Sequence, residues 1–198
     1  MNKQHIQELI QAVNTAIKQT NYNPQPAELY DPIKYFMDLG GKRLRPLLCL
    51  LSYQLFKPEW NQFTRPAIAL EIFHNFTLLH DDIMDNAPIR RGMPTVHEKW
   101  DRNVAILSGD VMLVIAYEQF DTLDAQLYKQ VIAAFNDTAK AVCEGQQMDM
   151  NFEHRNSVSI EEYVEMIRRK TAVLLGLSCR LGGMFAGQAT AVVEKLAL

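Results

Sequence analysis

Apolar residues recur at helical spacing along nearly the whole chain, and no segment alternates apolar and polar residues as a half-buried strand does. Ile6, Leu9, Ile10, Val13 and Ile17 occupy the i, i+3, i+4, i+7 positions of one helix. "NYNPQP" then breaks the pattern, since Pro24 and Pro26 cannot continue a helix. A second helix over about 28–39 ends at Gly40 and Gly41, where glycine relieves the left-handed cap. A third restarts with Pro46 in its first turn and runs to about Phe56. Thr64 and Pro66 open a fourth, which passes through Leu70, Phe73, Phe76 and Leu79.

Beyond a loop with Pro88, Gly92 and Pro94, helices are expected over about 103–120 and 124–152. "SIEE" is a capping box, with Ser159 as N-cap and Glu162 at the third position, and it opens a helix reaching about Gly187. "TAVVEKLAL" supplies a last amphipathic piece. The expected fold class is therefore all-α, a single domain of long helices and short loops over 1–198.

With 48% hydrophobic and 22% charged residues, 198 residues can bury a sizeable core. A net charge of −3 gives no sign of nucleic acid or an acidic membrane as the main partner. No apolar run is long enough to span a bilayer, and "MNKQHIQELIQAV" is too polar for a signal peptide. Cys49, Cys143 and Cys179 lie far apart without a CxxC pair. They read as reduced packing residues of a cytoplasmic protein.

The densest charge lies in "LLHDDIMDNAPIRRG" at 78–92. On a helix Asp81 and Asp85 share a face one turn apart, with Asp82 about 100° round. Such carboxylates repel by about 1 kcal/mol per pair in water and about 4 at intermediate dielectric. They also lie near a helix C-terminus, where the macrodipole disfavours them. A hard divalent cation removes both objections: Mg²⁺ takes one or two carboxylates together with substrate phosphates. Arg90 and Arg91, whose planar forks match phosphate oxygens, fit a phosphorylated substrate. A second basic cluster, Lys42, Arg43 and Arg45 in "GGKRLRP", lacks P-loop spacing and a preceding strand. Two basic clusters and one acidic cluster suggest two phosphate groups, only one of them on a metal.

These segments occur in a familiar order. "GGKRLRP", "HNFTLLHDDIMD", "RRGMPTVH", "GD" at 109–110, "GQQMD" at 145–149 and "KTA" at 170–172 together resemble the trans-isoprenyl diphosphate synthases. That family includes the farnesyl, geranylgeranyl and longer polyprenyl diphosphate synthases. The resemblance implies an isoprenoid synthase-type helical bundle around a central cavity, a homodimer, and condensation of isopentenyl diphosphate with an allylic diphosphate. It implies that Asp81, Asp82 and Asp85 bind Mg²⁺ on the allylic diphosphate, which Arg90 also holds. Lys42, Arg45, His74 and Arg91 are implied for the isopentenyl diphosphate. Lys170 and Thr171 are implied beside the developing allylic cation, and Gln146 and Asp149 in the active-site lining. Phe76 and Thr77, just upstream of the aspartates, are implied as chain-length positions. A large Phe76 and the DDxxD spacing lean toward a short-chain product, geranylgeranyl or farnesyl diphosphate.

The family pattern also carries a second aspartate-rich motif and a following lysine, and no second DDxxD occurs in these 198 residues. Against that pattern the chain reads as short at its C-terminal end: an engineered truncation, a fragment or a natural short form. Condensation by it alone is expected to be feeble. A non-catalytic or regulatory prenyltransferase-like subunit is the first alternative. An HD-type metal phosphohydrolase, suggested by His80-Asp81 with His74 and Asp110, is the second.

Overall fold

The helical periodicity is realised in a computed structural model that describes residues 3–23 and 25–197. Pro24, expected to help end the first helix, lies outside the described residues. Helix α1 spans Lys3–Gln19 and α2 Ala27–Asp38. Helix α3 spans Leu44–Gln54, α4 Thr64–Met84, the short α5 Val96–Lys99 and α6 Arg102–Glu118. Helix α7 spans Ala125–Phe152, α8 Ile160–Ile167, α9 Val173–Phe185 and α10 Thr190–Leu196. Contacts divide the chain into two compact units, with the division inside α3. The first runs up to Leu47 and includes Thr64–Thr122; the second holds Leu48–Phe63 and the chain from Leu123 onward.

In the first unit, α4 is the central element. Its N-terminal half, from Pro66 to Phe73, is buried all round, as a helix apolar on every face requires. It packs against α6, with α1 lying against α4 and α2 against α6. Leu9, Val13 and Ile17, the expected stripe of α1, are buried. Gly109 lets α6 approach closely, because a Cβ there would stand 2.2 Å from the His80 Nε2 of α4.

In the second unit α7 packs against α9, and α9 against α10. Phe63 stacks on Phe185 at 4.8 Å, with Tyr53 tilted against Phe63 at 4.9 Å. The expected capping box is present at Ser159 and Glu162. The helix it starts is not uniform: Arg168–Ala172 is π-helical between α8 and α9. A π-turn of five residues leaves no periodic trace that sequence spacing can separate from α-helix.

Two further differences from expectation are local. Ile89–Arg90 (β1) and Met93–Pro94 (β2) form an antiparallel hairpin. Strands of two residues are too short to show alternation. Their turn is set by Arg91 and Gly92, both at positive φ (53° and 80°), the geometry of a tight hairpin. Cys143 is exposed rather than a packing residue, whereas Cys49 is buried. Among the described residues no helix is long and apolar enough to cross a membrane.

Candidate active site

The C-terminal half of α4 carries His74, Phe76, Thr77, Asp81 and Asp82 of the expected groups. At about 100° per residue, His74, Thr77, Leu78, Asp81 and Asp85 fall on one stripe. Asp85 lies just past Met84, yet its N–H still donates to the Asp81 carbonyl at 2.9 Å, so the turn continues. Phe76 points elsewhere: it lies about 140° round the helix from Asp81 and packs against Phe73 and His80. Of the two expected chain-length positions, only Thr77 shares the stripe.

Asp82 is buried, and both its oxygens accept from Arg90 Nε, at 2.7 and 2.8 Å. Arg90 Nη2 also lies 2.7 Å from Asp82 and 3.6 Å from Asp81. Burial pushes the Asp82 carboxyl up, and the Arg90 hydrogen bonds oppose that shift. The second aspartate thus anchors Arg90, which also lies near Asp81, while Asp85 is exposed.

The hairpin turn sends the two arginines in different directions. Arg91 Nη1 donates to the Gly40 carbonyl, and its guanidinium lies against Gly41. The loop beneath is fixed by Thr95 Oγ1 donating to the Ala87 carbonyl at 2.8 Å. Tyr35 donates to the Pro94 carbonyl at 2.8 Å, and Lys99 sits 3.7 Å over the Tyr35 ring. Arg45 is half-buried with its Nε lacking a partner among the described residues, and Lys42 is exposed. Burial first, then Arg45, Arg91 and Arg90, push His74 down to about 3. His74 is therefore a neutral imidazole at pH 7, a hydrogen-bonding group within a guanidinium cluster.

The remaining expected residues belong to the second unit. Lys170 sits in the π-helical segment and its Nζ donates to Asp149 Oδ2 of α7 at 2.6 Å. Gly145 makes this approach possible: a Cβ there would meet the Lys170 nitrogen at 2.3 Å. Gln146 follows on α7, half-buried, and Thr171 is exposed.

The carboxylates suit a hard cation in kind, being oxygen donors one turn apart on an accessible stripe. Among the described residues no three His, Cys, Asp or Glu side chains form a cage by themselves, and Mg²⁺ ordinarily completes its shell with water and substrate phosphates. His80 is turned away from this stripe. Its Nε2 contacts the Ile106 carbonyl at 3.2 Å and lies 3.8 Å from Asp110. Arg43, expected in the second basic cluster, instead turns inward to meet Glu71 at 2.9 Å, and sequence reasoning gave Glu71 no role. The only hint was a lone glutamate in the apolar run "AIALEIF".

The structure is all-α and bears an aspartate stripe beside clustered guanidiniums. The sequence pattern of the polyprenyl synthetase family matches residues 26–198, and the chain belongs to that family. It is 39% identical over 186 residues to the geranylgeranyl diphosphate synthase of Methanosarcina mazei, covering 93% of this chain and 57% of that protein. It is 40% identical over 199 residues to the corresponding enzyme of Saccharolobus solfataricus, covering 97% and 59%. A crystal structure of a geranylgeranyl pyrophosphate synthase superposes with a TM-score of 0.95 at 46% identity, covering all of this chain and 60% of that one. The chain thus spans less than two thirds of the length of these relatives.

Proposed function

We propose that the chain carries the diphosphate-binding part of a short-chain trans-prenyltransferase, which joins isopentenyl diphosphate to an allylic diphosphate. The observation that carries this reading is the division of charge in the first unit. Asp81 and Asp85 lie on one stripe beside the anchored Arg90, and Arg45 and Arg91 gather about the neutral His74.

In this reading Asp81 and Asp85 would hold Mg²⁺ with the allylic diphosphate, and Asp82 acts by fixing Arg90 against that diphosphate. Mg²⁺ bound there supplies Lewis-acid stabilisation of the departing diphosphate. Lys42, Arg45, Arg91 and the N–H of His74 grip the second diphosphate and orient its double bond. The allylic C–O bond ionises, the double bond attacks the cation, and a proton leaves to the released diphosphate. In the second unit, the family resemblance gives Lys170, Thr171 and Gln146 the role of stabilising the allylic cation, and Asp149 fixes the position of the Lys170 ammonium. Apolar walls exclude the water that would quench the cation. Thr77, with Phe76 behind it, limits product length toward farnesyl or geranylgeranyl diphosphate.

The partner is a second copy of this chain, supported by the exposed apolar side chains Ile106, Leu107 and Val114 on α6. Three free cysteines suit a reducing cytoplasm. The test is product analysis with isopentenyl diphosphate, Mg²⁺ and each allylic primer in turn. Even slow formation of farnesyl or geranylgeranyl diphosphate supports the reading. Release of inorganic phosphate without elongation contradicts it and favours a phosphohydrolase.

A further inference from the structure

One buried charged pair has no part in the site described so far. Glu71, on α4 three residues before His74, has a side chain only 3% exposed, and the Arg43 facing it is 5% exposed. Arg43 Nη1 donates to Glu71 Oε1 at 2.9 Å, Nε to Asn14 Oδ1 at 3.0 Å and Nη2 to the Met37 carbonyl at 3.3 Å. One guanidinium therefore ties α1, the end of α2 and α4 together. The backbone of Arg43 is itself at φ 51°, one residue beyond the pair Gly40 at 77° and Gly41 at 155°. An L-residue adopts the left-handed region at a cost, here set against three hydrogen bonds. Turning Arg43 inward leaves Lys42 exposed and Arg45 half-buried on either side of it.

Glu71 serves more than Arg43. Its Oε1 lies 3.4 Å from the position a Cβ on Gly41 would take, and Arg91 Nη2 lies 3.3 Å from that same position. Its carboxylate attracts both Arg45 and Arg91. Three guanidiniums gathered without a counter-charge would repel one another and splay. A carboxylate among them keeps them ordered before any anion arrives, and such pre-organisation raises affinity.

We propose that Glu71, held by Arg43, is a positioning residue of the isopentenyl diphosphate subsite. The pair fixes the Gly40–Arg45 turn and places Arg45 and Arg91 so that one diphosphate meets both. The inference rests on the subsite assignment given under the proposed function.

The test compares calorimetric titrations with isopentenyl diphosphate, and thermal melts, for the parent, the double variant Arg43→Met/Glu71→Leu, and Arg43→Lys. Exchanging a buried ion pair for apolar residues of similar size is commonly neutral for stability, and here it leaves the net charge unchanged. The double variant is expected to melt near the parent while its affinity for isopentenyl diphosphate falls roughly tenfold, the scale on which a lost supporting partner weakens a binding group. Affinity for the allylic diphosphate in the presence of Mg²⁺ is expected to hold in both variants. A folded double variant binding within about twofold of the parent overturns the proposal. So does an equal loss of both diphosphates, which marks a general structural role. Should the double variant not fold, Arg43→Lys decides: it keeps the charge but loses the fork reaching Asn14 and Met37. The same loss supports the proposal, and unchanged affinity overturns it. If the parent binds no isopentenyl diphosphate, the subsite assignment itself fails, and this inference with it.

Discussion

Arg90 and Asp82 form a two-oxygen ion pair at 2.7 and 2.8 Å, with the Asp82 side chain 2% exposed and that of Arg90 23%. The pair joins the end of α4 to the hairpin. Removing one partner leaves a desolvated charge, so Asp82→Ala should cost roughly 2–5 kcal/mol. Asp85→Ala, at an exposed position, should change stability by less than about 0.5 kcal/mol. Urea unfolding of the two variants measures the contrast; equal losses would contradict the division of labour between these aspartates.

His74 gives the pH prediction. Its imidazole is held at about 3 by burial and by Arg45, Arg91 and Arg90, whereas an unfolded histidine titrates near 6.5. Between these values the unfolded state binds the extra proton, so stability rises with pH through this window and falls as pH drops below about 6.5. The slope from this one group reaches up to about 1.4 kcal/mol per pH unit. His74→Gln should flatten the curve of melting temperature against pH between 3 and 6.5. Parallel curves for parent and variant would show that His74 is not buried neutral.

Gly145→Ala should disturb the second unit at one defined place. The new Cβ would stand 2.3 Å from the Lys170 nitrogen and 2.7 Å from the Arg169 carbonyl carbon, both backbone atoms that cannot swing aside. An overpacking cost of about 1–3 kcal/mol is expected, together with loss of amide protection in Arg168–Ala172. A melting temperature equal to the parent's would contradict the close contact.

Chain-length control separates Phe76 from Thr77. Thr77 shares the aspartate stripe, so Thr77→Phe should shorten the longest product seen in chromatography. Phe76 packs on Phe73 and His80, so Phe76→Ala should lengthen the product by opening the wall behind Thr77. An unchanged product distribution in both variants would remove these residues from chain-length control.

How far the sequence revealed the site depends on how local each signal was. Asp81, Asp82 and Asp85 were visible because carboxylates are dense there, and the Ser159 capping box because its two partners are three residues apart. The role of Asp82 was not, since spacing cannot show which aspartate Arg90 chooses. Glu71, and the inward turn of Arg43 from its basic cluster, were missed for a related reason: their meaning lies in a contact spanning 28 positions. The π-helical turn at Lys170 and the two-residue strands escaped because each is too short for its period to repeat. Helix existence was therefore legible almost throughout, and side-chain pairing was legible only within a turn or two.

The central claim, two diphosphate subsites of which one uses Mg²⁺, is tested most directly by titrating the chain with each diphosphate, with and without Mg²⁺. Binding of the allylic diphosphate should require Mg²⁺ and be lost in Asp81→Ala. Binding of isopentenyl diphosphate should persist without Mg²⁺ and be lost in Arg45→Ala. A single site at which both ligands compete, or equal sensitivity of both to the two variants, would contradict the account.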